Sequence, residues 1–148
     1  MNRLSGYGRV LFACVLVAFL ARADAAAPAA AAKKEIGVEI LLDTDETVLG
    51  QEFEYPAGRA RITTVLLTVP PHGTIPFHHH PVPLMGYIIQ GELAVEYPDV
   101  GVIHYRAGDA FVEAFDTPHS GFNAGRGVVK ILAVYAGAEG VPNSVDGE

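Results

Sequence analysis

His78 and His80 are separated by one residue. A β-strand alternates its side chains, so both imidazoles point to one face while His79 points away. Two imidazoles on one face are half of a metal site. His119 follows 39 positions after His80, and in a closed barrel a strand that far along lies opposite or beside the first. Three rings can then meet at the bonds of about 2.0–2.1 Å that a transition ion requires. Imidazole suits such ions better than Mg or Ca, which take oxygen ligands. Three protein ligands also leave positions open to water or a substrate. The competing reading is a surface turn in which His78, His79 and His80 collect metal adventitiously; the spacing to His119 favours the barrel.

Glu113 is the nearby carboxylate. It shares strand parity with Phe111 and faces inward if Phe111 packs inside. It is then a fourth ligand, or a general acid or base beside the metal with its proton affinity raised by an apolar wall; the alternative is a solvated carboxylate at a strand end. His72, in the turn Pro70-Pro71-His72-Gly73, and His104, next to Tyr105 and Arg106, read as solvated. Tyr87, Phe77, Phe115 and Phe122 read as core aromatics before pocket contacts. Asn123 is a hydrogen-bond partner of a ligand histidine or a turn former before Ala124-Gly125. Gly91 and Gly108 read as hairpin positions with special backbone angles.

The elements that must position these residues are short. Beyond Gly50, β-branched and aromatic runs at 61–69, 74–80, 85–90, 92–97, 102–105, 110–113, 118–123 and 127–135 alternate with Gly and Pro punctuation. No helix-period stretch follows residue 25, so the expected class is all-β, an antiparallel barrel or sandwich. The acidic run Asp43, Thr44, Asp45, Glu46 reads as a solvated loop, and the apolar cluster at 36–42 as an added edge strand.

The chain has 148 residues, and its first 25 read as an export signal. Arg3 and Arg9 precede an apolar run at 10–21, and Ala23-Asp24-Ala25 fits the small-x-small pattern of signal peptidase, with cleavage expected after Ala25 or Ala23. The run is too short to span a membrane as a stable helix. Leu11-Phe12-Ala13-Cys14 only faintly resembles a lipoprotein box. Cleavage removes the sole cysteine, Cys14, which suits an oxidising compartment and leaves neither disulfides nor thiol chemistry. The expected organisation is a cleavable signal helix at 1–25, an alanine-rich spacer at 26–35, one barrel domain at 36–140 and a flexible tail at 141–148. A chain of that length buries enough surface to fold without a metal. The net charge of −7 disfavours nucleic acid and anionic membrane as partners. No phosphate-cradling glycine loop, nucleophile elbow or basic aromatic surface is present in the sequence.

The stretch Gly73-x4-His78-x-His80 followed by Gly91 resembles the first motif of the cupin superfamily, and Gly108-x5-Ala114 with His119-x3-Asn123 resembles the second. The likeness runs from about residue 51 to 137. It implies a small single-domain jelly-roll barrel, the antiparallel double-stranded β-helix, with His78, His80 and His119 as ligands of a divalent transition metal: Fe, Mn, Zn, Cu or Ni. The departures are specific. The family's glutamate ligand falls at Leu84 or Met85, neither of which coordinates a hard cation, so these become pocket wall. Ala114 and Asp116 replace the second motif's proline and glycine, and the gap from Gly73 to His78 is one residue short.

Two functional classes follow. One is an exported, periplasmic or secreted, metal-dependent enzyme of oxygenase, isomerase or lyase type, with Glu113 as the catalytic carboxylate. The other is a barrel that binds a small molecule or metal without turnover, favoured by the missing glutamate. Fold alone does not choose between them. Small barrels of this family often pair through edge strands, and 36–42 or 128–135 would supply such an edge, so a homodimer is expected. Histidine ligands bind when neutral, so metal binding is expected to fade as pH falls through about 6.5.

Overall fold

The computed structural model describes residues 36–147. The expected export signal and alanine-rich spacer lie outside the described residues. Among the described residues every regular element is a strand: β1 (Ala60–Val69), β2 (Thr74–His79), β3 (Leu84–Gln90), β4 (Glu92–Tyr97), β5 (Gly101–Arg106), β6 (Ala110–Val112), β7 (His119–Asn123), β8 (Val129–Ala138) and β9 (Val145–Asp146). They form two antiparallel sheets, ordered β1-β8-β3-β6 and β5-β4-β7-β2-β9. The alternating runs predicted an antiparallel barrel or sandwich, and the arrangement is the jelly-roll barrel that the motif resemblance implied.

Period-2 patterning closes the two sheets on one core. In β3 the buried positions are Leu84, Gly86 and Ile88; in β4 they include Leu93, Val95 and Tyr97; in β8 they include Val129, Ile131 and Ala133. With Val69, Tyr105, Phe111 and Ala114 they pack between the sheets. Tyr105 and Phe111 stack with ring centroids 4.0 Å apart and planes 21° from parallel. The β3–β4 hairpin turns at Gly91, whose φ of 87° suits glycine. A Cβ there would also lie 2.6 Å from the Val128 carbonyl oxygen, so both backbone angle and space require glycine. Gly108 has φ of 100°, as the hairpin reading expected.

Three expectations are corrected. Residues 36–42 form no strand; Ile36, Val38, Ile40 and Leu41 are exposed. Apolar β-prone residues need a neighbouring strand to pair with, and β1 takes the place beside β8. The run at 128–135 is no edge either, because β8 lies between β1 and β3. The tail expected at 141–148 contains β9, which pairs with β2 through His78↔Asp146 and His79↔Val145.

Asn123 settles its two readings through its contacts. Its Nδ2 donates to the carbonyls of Val69 (3.0 Å), Pro70 (3.0 Å) and Gly127 (2.8 Å), and its Oδ1 accepts from the Gly125 N–H (2.9 Å). It ties the ends of β1 and β7 to the following turn and touches no histidine in these contacts. The side chain is buried, so truncation leaves several main-chain groups without a partner. Asn123→Ala is expected to lower unfolding stability by about 2–3 kcal/mol with an unchanged m-value, as read from urea denaturation. A loss below 0.5 kcal/mol would show that water replaces the amide at little cost.

Candidate metal centre

Strand β2 carries His78, and a local irregularity decides where that ring points. Ile75 pairs with Gly121 of β7, but His78 pairs with His119, so the register slips by one residue between them. A regular strand would put Ile75 and His78 on opposite faces. The bulge at Pro76 and Phe77 brings both to the interior. Pro76 has no N–H to give to a ladder, and bulges are where a strand tolerates proline. The same register makes His119 the direct cross-strand neighbour of His78. The 41 positions between His78 and His119 are therefore closed by one antiparallel pair, with the two histidines beside each other. His80 follows two positions on, where a bridge to Phe115 and the Asp116 N–H donating to the His80 carbonyl (2.9 Å) fold the β6–β7 loop against it.

The three rings converge, as their spacing predicted. Their centroids lie 4.7 Å apart for His78 and His80, 4.5 Å for His78 and His119, and 5.2 Å for His80 and His119. All three can present a ligand atom within 4.8 Å of the others. Each Nδ1 is engaged by a main-chain carbonyl: His78 by Pro76 (2.6 Å), His80 by Asn143 (2.8 Å) and His119 by Thr117 (2.8 Å). A carbonyl only accepts, so each Nδ1 is the protonated nitrogen and each Nε2 offers its lone pair. The Nε2 atoms of His78 and His80 stand 3.2 Å apart, a spacing compatible with two bonds of about 2.1 Å to one ion. Donor type, geometry and tautomer thus fit a transition metal.

Burial favours the neutral form of His78 and His80. His80 is buried, and desolvation, partly offset by the Asn143 carbonyl, lowers its pKa from 6.5 to about 4, with His78 and His119 lowering it further. Desolvation also lowers the pKa of His78, against the raising effect of the Pro76 carbonyl.

Glu113 faces inward and is buried. Its N–H donates to the Leu84 carbonyl (2.9 Å), so it lies across the β3–β6 pair from the position where the motif resemblance places a glutamate. Its Oε1 accepts from the Tyr97 hydroxyl and from the Ala114 N–H (2.7 Å). Its Oε2 lies 3.7 Å from Nε2 of His119. Glu113 is outside the set whose ligand atoms all lie within 4.8 Å of one another, so the carboxylate stands beside the triad. Sequence reasoning missed Tyr97, which holds it. The signal was its parity with Leu93 and Val95 in β4. Burial, followed by the neighbouring Glu113, raises the Tyr97 pKa and keeps the hydroxyl a donor.

These groups line a cavity of about 70 Å³ with Leu67, Ile75, Leu84, Ile131 and Tyr135 among its walls. Leu84 is pocket wall as expected, but Met85 points to the outer face and is corrected. None of Tyr87, Phe77, Phe115 and Phe122 lines this cavity; its aromatics are Phe111 and Tyr135. His79 lies outside the triad, with Asp116 at 3.4 Å. His104 is exposed beside Glu92 at 3.1 Å, and His72 is exposed in its turn with φ of 62°.

The cupin domain family matches residues 65–135. Among solved structures, the chain is similar to an oxalate decarboxylase of Lactobacillus farciminis in a formate complex, at 21% identity and TM-score 0.51 over 57% of this chain. It spans only about a quarter of that protein, 26% of its length. It is also similar to an uncharacterised conserved Klebsiella pneumoniae protein with a double-stranded β-helix domain, at 20% identity and TM-score 0.51, covering 74% of this chain and 85% of the other. No curated protein matches the sequence. At these identities the likeness is one of fold. Together with the family match, it makes this a small cupin domain, a jelly-roll barrel with three histidines positioned for metal binding.

Proposed function

We propose that this is an exported cupin protein that binds one divalent transition metal (Fe, Mn, Zn, Cu or Ni) through Nε2 of His78, His80 and His119, and holds a small organic molecule beside it. The observation that carries this reading is the common tautomer. Three main-chain carbonyls occupy the Nδ1 atoms, so the inward Nε2 atoms are acceptors facing one another. Such lone pairs repel in a low-dielectric interior, and a bound cation relieves the repulsion. Export rests on Arg3, Arg9, the apolar run at 10–21 and Ala23-Asp24-Ala25, and places the protein in the periplasm or outside the cell.

Glu113 is the candidate catalytic carboxylate. Its Oε2 lies beside the triad, where it can take a proton from, or hydrogen-bond, a molecule in an open metal position. Metal binding without turnover is the second reading, favoured by Leu84 at the family's glutamate position. Glu113→Gln separates the two readings. For an enzyme, metal content stays near one equivalent while turnover drops by about 10²-fold or more. An unchanged rate in a variant that still loads metal would remove Glu113 from the chemistry.

A homodimer is the expected assembly. Edge strand β1 exposes Ile62 (64%) and Leu66 (60%) on the outer face of its sheet, beside Leu132, Val134 and Ala136 of β8. A large exposed apolar patch of this kind marks an interface. Leu66→Arg is expected to convert a dimer to monomer in sedimentation experiments at micromolar concentration; a wild-type chain that sediments as a monomer would sink the assignment.

Elemental analysis of untagged protein purified from the exported fraction tests the metal itself. One equivalent is expected, with His119→Ala losing it; stoichiometric metal in that variant would refute the site. The pH dependence is more specific. Folding lowers the pKa of His78 and His80, so the unfolded chain binds more protons below about pH 6.5. The metal-free protein therefore loses stability as pH falls from 6.5 towards 4. In the folded state both rings take up a proton at lower pH than an ordinary imidazole, so these two ligands hold the metal-induced rise in melting temperature to lower pH than unshifted histidines would. A metal-free melting temperature that stays level from pH 6.5 to 4 would contradict the burial of the pair.

A further inference from the structure

The cavity is chemically two-ended. Its polar side chains, the three histidines, Glu113 and Tyr135, gather at one end, with the Tyr135 ring 5.5 Å from that of His80. The wall further along the strands is apolar, from Leu67, Ile75, Leu93, Val95 and Ile131, while Leu84, paired with Tyr135, is the apolar residue at the polar end; the lining contains no Lys or Arg. A charged group directed away from the histidines meets hydrocarbon and no countercharge, which costs several kcal/mol when fully desolvated and less where the wall opens beside Leu67. Resting on the metal reading above, we propose that the cavity selects a small organic anion with a single metal-donor group and an apolar body, and discriminates against molecules carrying a second charge at the far end. Leu84 limits the charge at the histidine end, where it pairs with Tyr135. A glutamate at that position would put a second charge on the wall, whereas leucine leaves it apolar and Glu113 keeps the carboxylate beside His119.

The test uses protein loaded with Co(II), its content fixed by elemental analysis, and follows the visible absorption as acetate, butyrate and succinate are added at pH 7.5. Affinity is expected to rise by about fourfold per methylene from acetate to butyrate. Succinate, as long as butyrate but charged at both ends, is expected to bind about tenfold more weakly than butyrate or worse. Leu67→Arg supplies a reciprocal arm. Leu67 is 38% exposed on the inner side of edge strand β1, where a guanidinium is tolerated and can meet the distal carboxylate. It should narrow the gap between butyrate and succinate with one equivalent of metal still bound. Equal or tighter binding of succinate by the wild-type protein, a flat series from acetate to butyrate, or no response to any of the acids would each overturn the inference, whether or not the variant folds. A protein that takes up no Co(II) fails the metal reading itself, and this inference falls with it. One that takes up a full equivalent and prefers succinate fails this inference alone.

Discussion

Three nitrogen lone pairs directed at one another inside a barrel are the constraint on which the rest of the centre depends. Each imidazole is fixed from behind by a main-chain carbonyl, from Pro76, Asn143 and Thr117. Two of these carbonyls lie two residues before the ring they hold, so local backbone shape sets the tautomer. The third arrives from the segment between β8 and β9, 63 residues from His80. The short strand β9 therefore does more than extend a sheet: its pairing with His78 and His79 keeps the Asn143 segment against the triad. The bulge at Pro76 and Phe77 is the other half of the device, because without the slipped register Ile75 and His78 would face opposite sides.

Much of this was legible in the sequence, for physical reasons. Strand β4 coincides with the expected run at 92–97; β1, β2, β3, β6 and β7 differ from their expected runs by one residue at one end, β5 by one at each end, and β8 by two and three. Period-2 burial and glycine turns such as Gly91 act locally and leave a local trace. The shared face of His78 and His80 was legible in the same way. Less legible was what depends on distant partners. The apolar cluster at 36–42 has the composition of a strand but no strand beside it, since β1 already pairs with β8. Likewise 128–135 looks the same whether central or at an edge. A two-residue strand such as Val145–Asp146 carries no periodic signal, and the register slip is hinted at only by Pro76.

The carboxylate beside the triad comes from a different position than the motif resemblance implies. Leu84 stands where the motif resemblance places a glutamate, and the barrel points that leucine into the cavity. Its carbonyl accepts the N–H of Glu113 from the neighbouring strand end, so the two positions adjoin across one ladder. The acid is displaced sideways and tethered through Oε1 by Tyr97 and the Ala114 N–H. Tethering one oxygen leaves the other turned to His119, which makes the carboxylate a fixed neighbour of the triad and not a mobile competitor for its centre.

Burial gives this arrangement a consistent polarity. It lowers the proton affinity of His78 and His80, leaving their Nε2 atoms as acceptors, and it raises that of Tyr97, leaving the phenol as a donor already committed to Glu113. The inward atoms without a main-chain partner are then acceptors: the histidine Nε2 atoms and Glu113 Oε2. A water molecule offers two donors and cannot satisfy four such atoms at once. A metal cation can be bonded by the three nitrogens together, and a protonated ligand in an open position can meet the remaining oxygen. The polarity that would make the centre costly when metal-free is the same property that suits it to a cation.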